Sequence, residues 1–569
     1  MFENETTVIN SFIIGEEILS GGNFKRVANS FMKNVVILIC SQLLIKVLGL
    51  VYKLVITNIE GFGDAGLGYY SAGYQIYALL LTLSSIGIPS VISKLVSERI
   101  AIGDTKGAQR IFKIAFRFFT TVGLVLSVGL FFGANFIANN ILNVPDVAYV
   151  MKVLSPAIVF VAMSAVLRGY FSGQQNMKPT SVSQTLEQFL NCVLSITFVY
   201  ACIGKDSYIM AAAGNLSTTC AIVITFIYLF RYYKHNKLRT RGSIESPEKH
   251  KSNKELLKTI LGISIPITIS SLISVISGVI DTATVSNCMQ IAFSNGNSKE
   301  ALEQIAMSAT GILSKVDTLV SFPLAINIAF STALVPAISE ALAKKDKKTA
   351  SKRLSFSFFA SLVIILPCSI GFIVLADPIL RMLYPTASEG AGVFTIASVS
   401  MILTALSSTL TGGLYGVNQS KIPAIAAGLG ALIKFILNMI LISNPNIGIY
   451  GASISSFIYA LIVFFICYKV MNRCVNMHIK FKTHVVKPLI SAAGMGAVVF
   501  LGYKLFSSFL GNTTSTIFSI ILGAISYSIF ILLTKALTKE NIMMIPYGTK
   551  IYELLVRIGI YKEKKEVLK

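Results

Sequence analysis

Tryptophan is absent from the 569 residues, and charge is scarce: Asp, Glu, Lys and Arg make up only 13% of the chain. A soluble globular domain carries about 25% charged residues, so this composition excludes an ordinary water-soluble protein. Acidic residues are the scarcer sign, 26 against 49 basic, which leaves a formal charge of +23. The eight cysteines (Cys40, Cys192, Cys202, Cys220, Cys288, Cys368, Cys467 and Cys474) contain no CxxC pair. They read as small apolar packing residues rather than a redox or zinc motif. The four histidines, at 235, 250, 478 and 484, lack metal-ligand spacing. No Gly-x4-Gly-Lys-Ser/Thr stretch occurs, which removes the usual ATP-binding loop. With no tryptophan, tyrosine must supply the interfacial aromatic belts.

What is present is apolar length. Hydrophobic residues reach 54% and mean hydropathy is +0.71. Runs of about twenty apolar residues, enough to cross a bilayer, recur at 35–57, 67–89, 111–137, 147–171, 181–203, 208–230, 259–285, 312–336, 354–376, 391–415, 422–443, 447–470, 485–508 and 514–537. The sequence therefore predicts an all-α polytopic membrane protein with about fourteen spans. The connectors near 172–180, 444–447 and 509–513 are short, so those divisions are the least marked. The first 33 residues hold Glu3, Glu5, Glu16 and Glu17 and do not resemble a cleaved signal peptide.

The positive charge is placed unevenly. Nine Lys/Arg fall in 231–258, six in 340–353 and eight in 535–569, whereas loops of the opposite side carry Lys205, Lys299 and Arg381. This is the positive-inside pattern, and it predicts that both termini are cytoplasmic. The basic loops lack interleaved aromatic platforms, so nucleic acid is not an expected partner.

An internal repeat organises the spans. "RGYFSGQQNMKPTSVSQTLEQFLN" at 168–191 matches "GGLYGVNQSKIPAIAAGLGALIKFILN" at 412–438, pairing Gly173 with Gly416, Pro179 with Pro423 and Asn191 with Asn438. "IPSVISKLVSERIAIGDTKGAQR" at 88–110 matches "LVPAISEALAKKDKKTASKR" at 334–353, pairing Ser93 with Ser339 and Ala108 with Ala350. The displacement is six spans, so equivalent helices cross in the same direction and two six-helix lobes are related by an axis along the membrane normal. The expected organisation is a cytoplasmic extension at 1–33, an N-lobe at 34–230 and a basic linker at 231–258. A C-lobe at 259–471, two further helices within 484–538 and a cytoplasmic tail at 539–569 follow. In the tail, Ile551, Leu554, Leu555 and Ile558 share one face of a basic amphipathic helix suited to the inner membrane surface.

Charges inside spans mark the candidate site. Lys46 lies at the middle of the first span, and a central lysine costs about 2.5–3.5 kcal/mol on insertion scales. Lys53 is seven residues on, within roughly 20° of the same helix face and about 10 Å further along. Gly49 lies between them and leaves room for a ligand. Intramembrane ionisable groups default to functional sites, which makes Lys46 a candidate anion-binding residue; for Lys53, snorkelling to the outer interface explains the charge equally well. Lys434 is near the middle of span 422–443, and Glu187 is its repeat counterpart. Glu187 and Asp281 are candidates for ion coupling or for pairing across the lobe interface. Arg168 ends span four, where cytoplasmic anchoring competes with a role in receiving substrate. Lys315 and Asp317 read as interfacial, Glu60 and Asp64 as turn-formers. Pro266 removes a helical hydrogen bond and favours a bend in span seven. Tyr70, Tyr74 and Tyr77 recur at helical spacing, which reads as packing before cavity lining.

The stretches "KVLGLVYKLVITN", "GIPSVISKLVSE", "GDTKGAQR" and "RGYFSGQQNMKPTSVSQTLEQ" resemble flippases of the multidrug/oligosaccharidyl-lipid/polysaccharide superfamily. Within it they are most similar to the Gram-positive group of MurJ-type lipid II flippases and stage V sporulation B proteins. The resemblance covers roughly residues 30–540. It implies fourteen helices, two six-helix lobes and alternating-access outward flipping of an undecaprenyl-diphosphate-linked glycan, with lipid II the favoured cargo. The family's first helix usually carries arginine where Lys46 and Lys53 stand, so this chain keeps the charge without the bidentate fork. The implied substrate-binding residues are Lys46, Lys53, Lys434 and Arg168; no cofactor, metal or catalytic residue is implied, and proton or Na⁺ coupling through Glu187 or Asp281 is left open. A monomer in the cell membrane, contacting lipid and its lipid-linked substrate, is expected. The alternatives are a flippase for another lipid-linked polysaccharide unit and a cation-coupled multidrug exporter. A membrane glycosyltransferase fits poorly, because the outer connection 286–311 offers only Glu300 and Glu303.

Overall fold

The computed structural model describes residues 44–236, 252–477 and 479–538, together with Ile542 and Val556. The expected extension at 1–33, the centre of the basic linker and nearly all of the tail lie outside these residues. Every regular element among the described residues is helical. In chain order they are α1 (44–57), α2 (Gly63–Ser85), α3 (Ile88–Ala101), α4 (Thr105–Phe136), α5 (Val147–Gly173), α6 (Lys178–Ala201) and α7 (Ser207–His235). There follow α8 (Asn253–Ala292), α9 (Lys299–Ala343), α10 (Lys347–Val374), α11 (Ala376–Leu383), α12 (Ala391–Gly416), α13 (Lys421–Ile442), α14 (Tyr450–Val475), α15 (Lys487–Phe506) and α16 (Asn512–Leu533).

Twelve candidate spans meet the length and apolarity of a membrane crossing, with α2 and α3 forming one of them. α1, described from residue 44, and α6 fall outside these twelve; counted with them, they fit the fourteen spans that the apolar runs predict. α6 is less apolar than the others for a physical reason: Gln184, Glu187, Gln188 and Asn191 stand on it in close succession. The divisions at the short connectors are real, with α6 starting at Lys178, α14 at Tyr450 and α16 at Asn512. Two boundaries differ from expectation. α2 stops at Ser85, where Gly87 and Pro89 start α3. α9 is 45 residues long and starts at Lys299 rather than near 312, because the polar stretch 299–311 is helical as well. Lys315 and Asp317 are therefore four turns inside α9 and not at its end. Pro266 lies within the 40-residue α8, whose start is fixed by a Ser252/Glu255 capping box.

The repeat is visible as equivalent packing. Gly169 and Gly173 end α5 against Pro89, Ile92 and Val96 of α3, where any side chain would collide; Gly412 and Gly416 end α12 against Ser331 and Ile338 of α9. Both are small-xxx-small contacts that let helix backbones approach closely. Asp104 caps α4 through the Gly107 amide, and Asp346 caps α10 through the Thr349 amide.

The lobes share an apolar core at one end; at the other their cores are distinct, with the start of α8 packed on the N-lobe through Ile260 and the Arg110–Asn253 hydrogen bond. The end carrying the turn at 58–63 holds Glu60, Asp64, Asp146, Asp206, Glu300 and Glu303; the other carries the lysine-rich connections. Toward the acidic face one apolar core crosses both lobes, placing Val150 and Met151 of α5 with Val285 and Cys288 of α8 and Met307 of α9. Toward the basic face the cores separate. One gathers Val91, Phe112 and Tyr170 with Ile260; the other gathers Ile338, Leu354 and Met471.

Candidate functional site

The seal at the acidic face is built from backbone proximity and one buried ion pair. A side chain on Gly68 of α2 would overlap the Met307 carbonyl of α9, and one on Gly311 would overlap the Asp64 carbonyl. Only glycine permits that crossing. Beside it Lys315, fully buried, donates to both Asp64 oxygens at 2.7 and 3.0 Å and to the Ala387 carbonyl. Its ammonium also lies 5.3 Å from the centre of the Tyr384 ring. The sequence reading of Lys315 as interfacial and Asp64 as a turn-former is corrected here: the two form a buried tie between lobes. Asn143 and Gln290 add inter-lobe hydrogen bonds, 3.2 Å side chain to side chain and 3.0 Å to the Asn143 carbonyl. Outside the seal opens a vestibule of about 1040 Å³ lined by Glu60, Asp64, Asp146, Asp206, Glu300 and Glu303. Burial, and then the neighbouring Asp206 carboxylate, push Asp146 above its ordinary value.

Below the seal, a polar cavity runs between the lobes in two adjoining compartments. The first, about 300 Å³, is lined by Lys46, Gly49 and Lys53 of α1, Tyr70 and Tyr74 of α2, and Gln188 and Asn191 of α6. The second, about 520 Å³, is lined by Asp281 of α8, Asp317 of α9, Lys434 of α13 and Tyr459 of α14. Lys53, Ser71, Gln75, Ser314, Thr318 and Ser321 border both. Lys53 donates to the Thr318 hydroxyl at 3.2 Å, which ties α1 to α9 inside the cavity. Lys46 is exposed at the basic end of the first compartment, without a hydrogen-bond or ion-pair partner among the described residues. Tyr70 and Tyr74 line the cavity, and Tyr70 meets the Tyr52 hydroxyl at 3.3 Å, whereas Tyr77 is packed away at 1% exposure.

The remaining charged candidates pair within their own lobes. In the C-lobe Lys434 donates to Asp281 at 2.5 Å and to Ser277 at 3.1 Å, while Asn438 donates to the second Asp281 oxygen at 3.0 Å. In the N-lobe Arg168 donates to Glu187 at 2.6 Å and to Ser183 at 3.1 Å. Among the described residues, neither Glu187 nor Asp281 pairs across the lobe interface. The geometric cause is that each acid has a cation on a neighbouring helix of its own bundle. Arg168 is committed to that pair and does not line either cavity compartment.

One cavity residue escaped sequence reasoning. Asp317 is exposed into the second compartment, and no described residue lies within hydrogen-bonding or ion-pairing distance. Its signal was available: Thr310, Ser314, Asp317 and Ser321 recur at intervals of four, three and four, a polar stripe on one helix face. With α9 started at 312, the stripe lost its first turn and Asp317 looked terminal.

A membrane protein of two repeat-related six-helix lobes around a polar central cavity, with two appended helices, has the architecture of the multidrug/oligosaccharidyl-lipid/polysaccharide superfamily. The chain belongs to the family described as "Polysaccharide biosynthesis protein", whose profile matches residues 31–342; the MatE profile matches 299–440. It is 28% identical to stage V sporulation protein B of Bacillus subtilis over 530 residues, covering 91% of this chain and 98% of that one. Lipid II flippase MurJ of the same organism is 25% identical, over 73% of this chain and 78% of its own. The solved structure of lipid II flippase MurJ in an inward closed conformation superposes with a TM-score of 0.67 at 16% identity, covering 86% of this chain and 97% of that one.

Proposed function

We propose that this protein flips an undecaprenyl-diphosphate-linked cell-wall precursor, lipid II or a related lipid-linked glycan, from the inner to the outer leaflet. The observation that carries the reading is the pair Lys46 and Lys53, set on one face of α1 within a hydroxyl-lined cavity between separable lobes. A diphosphate head bears about two negative charges, and bringing it through hydrocarbon unaided is prohibitive. Two ammonium groups along the path offset that cost. The relative named lipid II flippase MurJ supports this class of cargo.

In this reading the basic face and both termini are cytoplasmic, following the positive-inside rule. The cavity then receives cargo from the inner leaflet while the Asp64–Lys315 seal excludes the outside. Moving two negative charges outward with an inside-negative potential supplies about 4–5 kcal/mol per 100 mV. This drive is adequate without nucleotide hydrolysis. A coupling cation at Asp281 would have to displace the Lys434 ammonium, so Asp281 is a poor coupling site and membrane potential the better drive. Substrate-contacting roles fall to Lys46 and Lys53, whereas Lys434 and Arg168 hold their lobes together through Asp281 and Glu187. The protein works as a monomer, each copy enclosing a complete cavity.

The test is complementation. Lys46→Ala should abolish rescue of cells depleted of their lipid II flippase, at unchanged membrane abundance and unchanged melting temperature. Full rescue by that variant would end the phosphate-binding role. The MatE match keeps a cation-coupled exporter as the second reading. Dye efflux that survives Lys46→Ala, with no change in the outer-leaflet lipid II pool, would favour it.

A further inference from the structure

Most ionised groups of the membrane interior already have partners: Lys53 with Thr318, Lys434 with Asp281, Arg168 with Glu187 and Lys315 with Asp64. Two facing the cavity do not, among the described residues: the cation Lys46 in the first compartment and the anion Asp317 in the second. An exposed carboxylate at this depth is expensive to maintain, as is an unpaired lysine. Their spacing is set by the Lys53–Thr318 bond. That bond places Asp317 level with Lys53, and Lys46 is seven residues, about 10 Å, toward the basic face. A diphosphate is attracted to the lysines and repelled by Asp317, so Asp317 gains nothing from direct contact with a purely anionic cargo.

We propose that Asp317 is a specificity-determining residue that receives a cationic group, an ammonium, on the glycan or peptide head of the cargo. The proposal rests on the lipid-diphosphate reading above and adds to it. The cargo is anionic at its lipid-proximal diphosphate and cationic farther out. Hydroxyls of Ser314, Thr318 and Ser321 line the space between and accept or donate to the sugar hydroxyls. The ammonium forms a charge-assisted hydrogen bond with Asp317 Oδ, the stronger kind of pair in a confined site. A cargo with the same diphosphate and an acylated nitrogen leaves the carboxylate unpaired and binds less well. A free alkali cation shares the ammonium's charge and is the other possible occupant.

The experiment compares two probes on the full chain in nanodiscs at pH 7. Both are farnesyl-diphosphate chitobiose derivatives; one has a free amine on the distal sugar and the other is N-acetylated there. Wild type should bind the amine form roughly tenfold more tightly, the scale of one charge-assisted hydrogen bond. Asp317→Asn should bind both forms equally, with the acetylated form bound at least as tightly as by wild type, and Asp317→Glu should keep most of the preference. Lys46→Ala should weaken both forms by the same factor. Equal binding of the two probes by wild type, or a preference that survives Asp317→Asn, overturns the proposal. If exchanging choline for Na⁺ tightens the acetylated probe in wild type but not in Asp317→Asn, the site takes a free cation and the proposal also fails. If neither probe binds wild type, it is the lipid-diphosphate reading itself that fails.

Discussion

In the N-lobe the acid stands on α6 and its cation comes from α5, Glu187 with Arg168; in the C-lobe the cation stands on α13 and its acid comes from α8, Lys434 with Asp281. Glu187 and Lys434 lie at equivalent places of the repeat, four residues before Asn191 and Asn438. The asparagines also differ in use. Asn191 accepts from the hydroxyls of Ser217 and Thr218, at 2.7 and 3.2 Å, whereas Asn438 donates to Asp281 and Thr284. One scaffold thus carries opposite charges at matching positions, and each is neutralised inside its own bundle. The excess positive charge of the cavity comes from α1 alone, which lies outside these pairs.

The sharpest break of this comparison is reversal of one sign. Lys434 is 4% exposed and its partner Asp281 only partly exposed, so Lys434→Glu sets two carboxylates together with little solvent to screen them. It should cost about 3–5 kcal/mol, the range for breaking a buried pair, read by unfolding in mixed micelles. Glu187→Lys sets two cations together at a pair with side chains 14% and 23% exposed. Its cost should be smaller, on the order of 1–2 kcal/mol. Combining Lys434→Glu with Asp281→Lys should restore most of the stability; failure of the swap would mean that Ser277 and Asn438, not the charge pair, hold the lobe. Lys421→Glu, at the exposed start of α13, should leave stability unchanged.

How far the sequence reaches is different for the two kinds of feature. Span number, the repeat and the α1 lysines were legible because they depend on local apolar length and periodicity. The pairings were not. Glu187 to Arg168 spans 19 residues, Asp281 to Lys434 spans 153, and Asp64 to Lys315 spans 251. Nothing in a helix period says which neighbouring helix supplies a counter-charge. Asp317 was lost for a subtler reason. The polar turns that make one wall of the cavity also lower hydropathy, so a span reading trims the functional end of the helix. α6 was detected despite its polar face because 181–203 retained enough apolar residues around Glu187.

The ends of the molecule invite a second break of intermediate size. Gly311→Val should overfill the α2–α9 crossing, where overpacking costs about 1–3 kcal/mol. That penalty falls on the sealed acidic face and not on the separated basic face, so it should shift the population toward opening there about 5- to 150-fold. A Ser321→Cys reporter in the cavity would then label from the acidic side in Gly311→Val but not in the parent. Unchanged labelling at normal abundance would show that the seal does not depend on this crossing.

The smallest effects belong to the repeat's two caps. Asp104 is largely buried, and its cap is joined to Arg99 at 3.4 Å; Asp346 is exposed and caps α10 through the Thr349 amide at 2.9 Å. Asp104→Ala should cost about 1 kcal/mol, a typical loss of an N-cap, and Asp346→Ala less. Hydrogen bonds from the Thr349 side chain, then its amide, hold the Asp346 carboxyl below its ordinary value of 3.8. An acid depressed on folding contributes stability that is complete above its unfolded value and fades as pH falls through the folded one. The difference between wild type and Asp346→Ala should therefore stay constant from about pH 5 to 8 and disappear only in stronger acid. Melting curves across that range check it. A difference that faded already near neutral pH would assign the stability to another group and remove Asp346 from the list of caps that the two lobes share.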